Sequence, residues 1–472
     1  MAFPEGLIGY GLVALASVLA PAVFGFALVR WLGLGPVHGL RFAWGVGYLI
    51  GHYVLAQVTL LWLIAGKPVS GWLLPVAAVV AAGILLRRAH RKHVAALPRV
   101  PSHWTEWLPV VLVSCVLLHA FLVANIVPVR YGDEAVNWAS KAKVLYTTPG
   151  LDLSTGLNLF VSHSDYPIFN PLTQVLAFAS AGRVLHFENR LPIQFFAIAL
   201  LLMLSAATTR RSHALPSGLA LLAFVGTSFF WLAPTAYADI LLACATLAAC
   251  EALLRWRETR EPVFFGLGLL AMSAMVSAKN DGRLLLIALA APFVLDLLVA
   301  RVKAGNWGAL ARLRWRSLGW LLVPIAAVLF QRGMNAWFMV RNELEIEAYT
   351  HGRGMLEIIL SQLAANGPVV LASYGRMLVD PALNSLLPLT FLLAGPLAWI
   401  ARGRDWWAGA GAMTWLVFVA ATIGYMLVFV GTLFDLKWHM MVAADRIMQH
   451  VLPLAVVGLT TSVWPRAIRS VV

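Results

Sequence analysis

Thirteen apolar runs, each about the length a helix needs to cross a bilayer, constrain this 472-residue chain more than any other feature. They lie near 7–30, 41–65, 71–87, 107–127, 190–209, 215–233, 239–255, 262–279, 283–300, 317–338, 382–400, 407–432 and 446–464. A helix crosses the hydrocarbon core with roughly 17–25 apolar residues. With 61% hydrophobic and 12% charged residues and a mean hydropathy of +0.81, the chain carries more apolar surface than a soluble fold of this size can hide. The expected fold class is an all-α polytopic membrane protein, with residues 1–472 forming one transmembrane domain. Its 19 tryptophans suit anchoring at the membrane interfaces. The N-terminus, Met1 to Glu5, lacks a basic region, so a cleaved signal peptide is not expected.

The loops set the orientation. One set is basic: Arg30 to Arg41, Arg87 to Lys92, Arg210-Arg211, Arg255 to Arg260, Arg301 to Arg316, Arg402 to Arg404 and Arg466 to Arg469. These alternate with the other loops without a parity error and, with Arg99, hold 21 of the 35 Lys and Arg, while their side of the chain has only six of the 21 Asp and Glu: Glu106, Glu251, Glu258, Glu261, Asp296 and Asp405. The positive-inside rule makes them cytoplasmic. The other fifteen acids then face the exoplasmic side. The +14 net charge is therefore a matter of topology and does not point to nucleic acid. Residues 170–187 are apolar, but counting them as a crossing would reverse every later loop. They are expected to form a juxtamembrane helix along the exoplasmic interface, or a re-entrant one. Two exoplasmic loops follow from this, 128–189 and 339–381. The three cysteines, Cys115, Cys244 and Cys250, lie in apolar runs and show neither disulfide nor zinc spacing.

Polar residues recur at the exoplasmic ends of these runs. Tyr131-Gly132-Asp133-Glu134 opens the first loop directly after an apolar run, with Trp138, Lys141 and Lys143 behind it. Charge so close to a span is costly unless it has work to do. His163-Ser164-Asp165-Tyr166-Pro167 lies further along the loop. Tyr237-Ala238-Asp239, Lys279-Asn280-Asp281-Gly282-Arg283 and Asp435-Leu436-Lys437-Trp438-His439, with Asp445-Arg446 and His450, complete the set. If 435–450 is helical, Asp435, His439, Arg446 and His450 share one stripe. Each has a plainer role open to it: Asp133-Glu134 as a solvated pair, Asp239 as a helix cap, Lys279 to Gly282 as a turn, Arg446 as an interfacial snorkeller. Carboxylates and cations from five stretches at one depth suit a site that ionises an acceptor and stabilises an anionic leaving group.

On these residues, over about 128–450, the chain resembles the GT-C class of integral-membrane glycosyltransferases. That class includes protein O-mannosyltransferases and the lipid A aminoarabinose transferase, and the likeness is closest to its bacterial RgtA/B/C/D-like branch. Asp281 stands where relatives more often show Glu, and Glu134 is an extra acid beside Asp133. The resemblance implies a GT-C-like bundle of about 13 transmembrane helices with exoplasmic juxtamembrane helices in the cell (inner) membrane. It implies inverting transfer of a monosaccharide from a polyprenyl-phosphate donor to an envelope glycan, glycolipid or protein on the exoplasmic, periplasmic side. Asp133 would be the general base, with the adjacent Glu134 a second carboxylate at the same place. Lys279 and Arg446 would bind the phosphate, with Lys141, Arg283 and His439 behind them. Asp165 with Tyr166 and Asp239 would orient the acceptor or hold the cations, or Asp165 and Asp239 would bind a divalent cation. A transporter or flippase of a lipid-linked substrate is the alternative; it would place polar groups at midplane on repeated, broken helices. A non-catalytic scaffold would scatter its acids on both faces.

Overall fold

The computed structural model describes residues 7–35, 38–69, 71–90, 104–129, 132–148, 163–304, 319–337, 354–380, 386–407, 409–432 and 434–464. Among them every regular element is helical: α1 (Leu7–Trp31), α2 (Leu40–Ile64), α3 (Leu73–His90), α4 (Trp104–Ile126), a π-helical turn (Glu134–Ala139) leading into α5 (Ser140–Thr147), α6 (Phe169–Ala181), α7 (Leu191–Arg211), α8 (Ala214–Val225), α9 (Phe229–Leu232), α10 (Ala238–Thr259), α11 (Pro262–Ala278), α12 (Asp281–Ala304), α13 (Leu322–Trp337), α14 (Met355–Val379), α15 (Leu387–Arg402), α16 (Arg404–Trp407), α17 (Ala410–Val430), α18 (Leu436–Met448) and α19 (Leu452–Val463). Seven of the described helices are long and apolar enough to cross a membrane, or eight if the bent pair α18 and α19 is one span. The chain is thus a helical protein compatible with multiple membrane passes.

The thirteen apolar runs map onto this set unevenly. The run 215–233 is broken into α8 and the single turn of α9. Helices α11, α13 and α15 are 17, 16 and 16 residues long, about 25 Å at 1.5 Å per residue, which is short of the ~30 Å core. The expected loop 339–381 contains α14, a 25-residue helix itself apolar enough to span; residues 338–353 and 381–385 lie outside the described set. Helix α14 meets the last turn of α17, where Asn366 donates to the Val430 carbonyl at 3.0 Å and Tyr374 packs on Phe429. The segment 170–187 holds only the 13-residue α6, too short to cross. It is buried against α1, α2 and α5 rather than laid along a surface.

Helix α10 is the axis of the bundle. Every residue from Ala238 to Arg255 is buried, and α2, α7, α11, α12, α17 and α19 all pack on it. A helix apolar on all sides belongs inside protein. Cys244 and Cys250 sit in this core, whereas Cys115 is exposed on α4. Helices α1 and α2 approach until a Cβ on Gly25 would lie 1.8 Å from the Gly47 carbonyl oxygen, the small-residue contact of membrane helices.

The two ends of α10 carry different charge. At its C-terminal end Glu251 pairs with Arg211 at 2.6 Å and with Arg255 at 2.6 Å, and Glu258 pairs with Arg211 at 2.8 Å. At its N-terminal end stands Asp239. Glu251 and Asp239 are about 18 Å apart along the helix. Polar groups therefore gather at both ends, and the apolar middle lies between.

Candidate functional site

Asp239 organises the N-terminal end. It lies in the first turn of α10, where the helix dipole favours an anion. It caps nothing; Tyr237 is the N-cap and makes no side-chain cap bond. Its carboxylate is completely buried. Oδ1 accepts from Lys279 Nζ at 3.1 Å and pairs with His450 Nε2 at 2.8 Å, while Oδ2 accepts from Arg446 Nη2 at 3.0 Å and Nε at 3.3 Å. The plainer role of helix cap is therefore excluded by tertiary contacts that no local rule could supply.

Lys279 comes from the break between α11 and α12. Backbone bonds from Gly282 N to Lys279 O and from Arg283 N to Asn280 O turn the chain there. A Cβ on Gly282 would stand 2.0 Å from the Met275 carbonyl oxygen, so this turn requires glycine. The turn and the site are the same object. Lys279 also pairs with Asp281 at 2.9 Å, in the first turn of α12. Burial alone would lower its pKa, but Asp239 and Asp281 outweigh that and hold the ammonium above its ordinary range.

Arg446 lies in the last turn of α18, a favourable place for a cation. Besides Asp239, its Nη1 donates to Asp133 Oδ2 at 2.7 Å, and its guanidinium covers the Tyr237 ring at 4.3 Å. Asp133 is 42% exposed, whereas Asp239 is fully buried. Arg446 thus bridges a buried carboxylate to an open one. Helices α18 and α19 meet at 47°, and Pro453 opens α19. That bend sets Arg446 and His450 at the end of α10.

Asp133 and Glu134 are sequence neighbours with separate fates. Glu134 enters the π-helical turn and is buried. It forms a bidentate pair with Arg190, through Oε1 and through Oε2 at 2.8 Å, and Oε1 also accepts the Ala236 N–H at 2.8 Å. Arg190 further donates to the Val127 carbonyl. Glu134 therefore ties the end of α4, the loop before α7 and the loop before α10 together, and does not join the Arg446 and Lys279 cluster. Glu134→Ala leaves the Arg190 guanidinium buried without its carboxylate, which costs about 3–5 kcal/mol. The expected result is a clear fall in the thermal unfolding midpoint in detergent; an unchanged midpoint overturns this role.

The other predicted residues flank this core. Asp165 Oδ2 accepts from Asn280 Nδ2 at 2.5 Å, one residue after Lys279, and its backbone carbonyl accepts from Asn335 of α13 at 3.4 Å. Tyr166 stacks on His163 with centroids 4.6 Å apart and tilts against Trp138. Burial raises its hydroxyl above the ordinary range, so it stays a neutral O–H. Lys141 is buried, donates to the His163 carbonyl at 2.5 Å, and lies 5.5 Å from the Tyr166 ring. It braces this aromatic wall. Arg283 follows Asp281 in the first turn of α12, half-buried. His439 of α18 bonds Thr432 Oγ1 at 2.7 Å and packs on Phe429 and Phe434. Asp435 caps α18, accepting the Trp438 N–H at 2.8 Å.

Asp239, one of the two carboxylates suggested for a divalent cation, does not suit one. Both oxygens of Asp239 already accept from Lys279, His450 and Arg446, and an incoming cation with oxygen ligands would have to displace these. Among the described residues no group of three or more His, Cys, Asp and Glu stands together as a metal site.

Sequence reasoning missed Arg190 and Tyr425. Arg190 reads as the basic edge of an apolar run. Tyr425, whose hydroxyl bonds His450 Nδ1 at 2.8 Å, sits inside one; only a polar atom in an otherwise apolar run marks it.

No protein-family model, curated protein or solved structure matches this chain.

Proposed function

We propose that the protein is an inverting glycosyltransferase of the GT-C type. It moves a monosaccharide from a polyprenyl-phosphate donor to an envelope glycan, glycolipid or protein at the exoplasmic face of the cell membrane. The observation that carries this reading is the convergence of Asp133, Asp239, Lys279 and Arg446 from four distant segments. An open carboxylate beside two clustered cations is what deprotonation of a hydroxyl and departure of a phosphate require.

The charge count sharpens the chemistry. Three carboxylates, Asp133, Asp239 and Asp281, face two cations, Lys279 and Arg446. An arriving phosphate must take cation contacts from one of them, and Asp133, held by Arg446 Nη1 and 42% exposed against 23% for Asp281 and 0% for Asp239, is the most open to displacement. Phosphate taking Arg446 Nη1 frees Asp133 to accept the proton of the acceptor hydroxyl as that oxygen attacks the anomeric carbon. The bond from that carbon to the phosphate oxygen breaks, and Arg446 and Lys279 receive the negative charge.

An apolar pocket of about 440 Å³ supports a lipid donor. It lies between α2, α11 and α13, lined by Tyr53, Gln57, Ser277, Ala326 and Phe330 among others. Ser277 on its wall lies in the last turn of α11, two residues before Lys279, so the pocket reaches the end of α11 that leads into the cation cluster. In this reading the thirteen spans include α4, α8 with α9, α10, α11, α13 and α15. Helix α14 lies over the exoplasmic end of α17, and the basic end of α10 faces the cytoplasm.

The test is transfer by purified protein from radiolabelled polyprenyl-phosphate sugars to envelope glycan and glycolipid fractions. The expected result is a labelled product with inverted anomeric configuration. Movement of the lipid-linked sugar across liposomes without any glycosylated product overturns the reading in favour of a transporter.

A further inference from the structure

Tyr425, His450 and Asp239 form a buried line behind the two cations. The Tyr425 hydroxyl lies 2.8 Å from His450 Nδ1, and His450 Nε2 lies 2.8 Å from Asp239 Oδ1. The side chains of His450 and Asp239 are wholly buried, and Tyr425 is 1% exposed. A carboxylate facing Arg446 and Lys279 can only accept, so Nε2 carries the imidazole hydrogen. Nδ1 is then the acceptor, and the tyrosine hydroxyl donates to it. Every hydrogen-bonding atom along the line has a partner.

The consequence lies in the geometry of Asp239. Its Oδ1 has two partners, His450 and Lys279, and its Oδ2 serves Arg446. The terminal torsion of an aspartate is soft, so a carboxylate with partners on one edge alone can swing. His450 comes from the turn between α18 and α19, four residues after Arg446, while Tyr425 comes from α17. The line therefore references the carboxylate to two elements that do not carry Lys279. We propose that His450, oriented by Tyr425, is a positioning residue that acts through Asp239 to hold Arg446 and Lys279 in one anion-binding register. The proposal rests on the phosphate-lipid reading above. Residues that orient metal ligands from behind contribute about 10–100-fold to metal affinity, and a loss on the same scale is expected at this phosphate site.

The experiment measures calorimetric binding of farnesyl phosphate to the full-length protein in detergent, for wild type, His450→Leu, His450→Gln and Tyr425→Phe. The wild type binds, and His450→Leu binds about tenfold more weakly. His450→Gln recovers most of the affinity, because its amide N–H can reach Asp239 as Nε2 does. Tyr425→Phe falls between. A purely packing role would not be rescued by glutamine, so a His450→Gln protein as weak as His450→Leu overturns the proposal. Unchanged affinity in His450→Leu, or in Tyr425→Phe where the leucine variant does not fold, overturns it while leaving the phosphate-lipid site intact. A wild-type protein that does not bind farnesyl phosphate overturns that site and this inference together.

Discussion

Asp133→Asn is expected to lower sugar transfer by about 10²–10⁴-fold, the range that a positioned general base contributes, while leaving the protein folded. Asp133 is the most exposed member of the cluster, so its carboxylate contributes little to stability. The same substitution is expected to tighten the binding of polyprenyl phosphate. It removes the carboxylate that competes with phosphate for Arg446 Nη1, and it takes the cluster from three carboxylates against two cations to two against two. Opposite changes in turnover and in ligand affinity are hard to produce by misfolding. Transfer at the wild-type rate sinks the assignment of the base. Weaker phosphate binding sinks the exchange of partners at Arg446.

Asp239→Asn should behave in the opposite way. Its carboxylate is wholly buried and, among the described residues, is the only one that touches Lys279, Arg446 and His450 together. The amide keeps the shape but leaves two cations facing each other with one strong counter-charge removed, and its N–H₂ turns a donor toward donors. Breaking a buried ion pair costs about 3–5 kcal/mol. The expected outcome is a much lower unfolding temperature together with loss of polyprenyl-phosphate binding, where Asp133→Asn loses neither. Thermal unfolding of both variants side by side, followed by binding where each is folded, separates the two carboxylates. Equal stability of Asp239→Asn and wild type would mean that the cluster is not held from this residue.

The two substitutions show which parts of the site are local and which are not. The carboxylates and cations were visible in the primary structure, because charge beside apolar runs is rare enough to notice. Their common side followed from loop charge alone. The separation of Asp133 from Glu134 was not visible. Both are acids at adjacent positions, and what divides them is Arg190, 56 residues away in sequence, which draws Glu134 into the interior. Likewise Asp239 fits the local preference for a cap, and only Arg446, Lys279 and His450 reveal its use. Tyr425 and Arg190 gave no local signal, since a hydroxyl in an apolar helix or an arginine at its edge has many ordinary reasons to be there.

The pattern of apolar runs was enough to establish a helical, membrane-compatible chain, because backbone groups in hydrocarbon must be satisfied within the helix itself. It was also enough to leave the middle of the bundle nearly free of charge and to gather the polar groups at its ends. The lengths and breaks of individual helices were not settled there: α8 and α9 divide one run, α14 rises out of an expected loop, and α18 and α19 bend at His450. Hydropathy averages over a window, whereas a break or a pairing depends on which distant side chain stands opposite. Asp239 shows this most directly. Its charge, its place beside a span and its side of the chain are local properties, but its three partners come from contacts across 40, 207 and 211 positions.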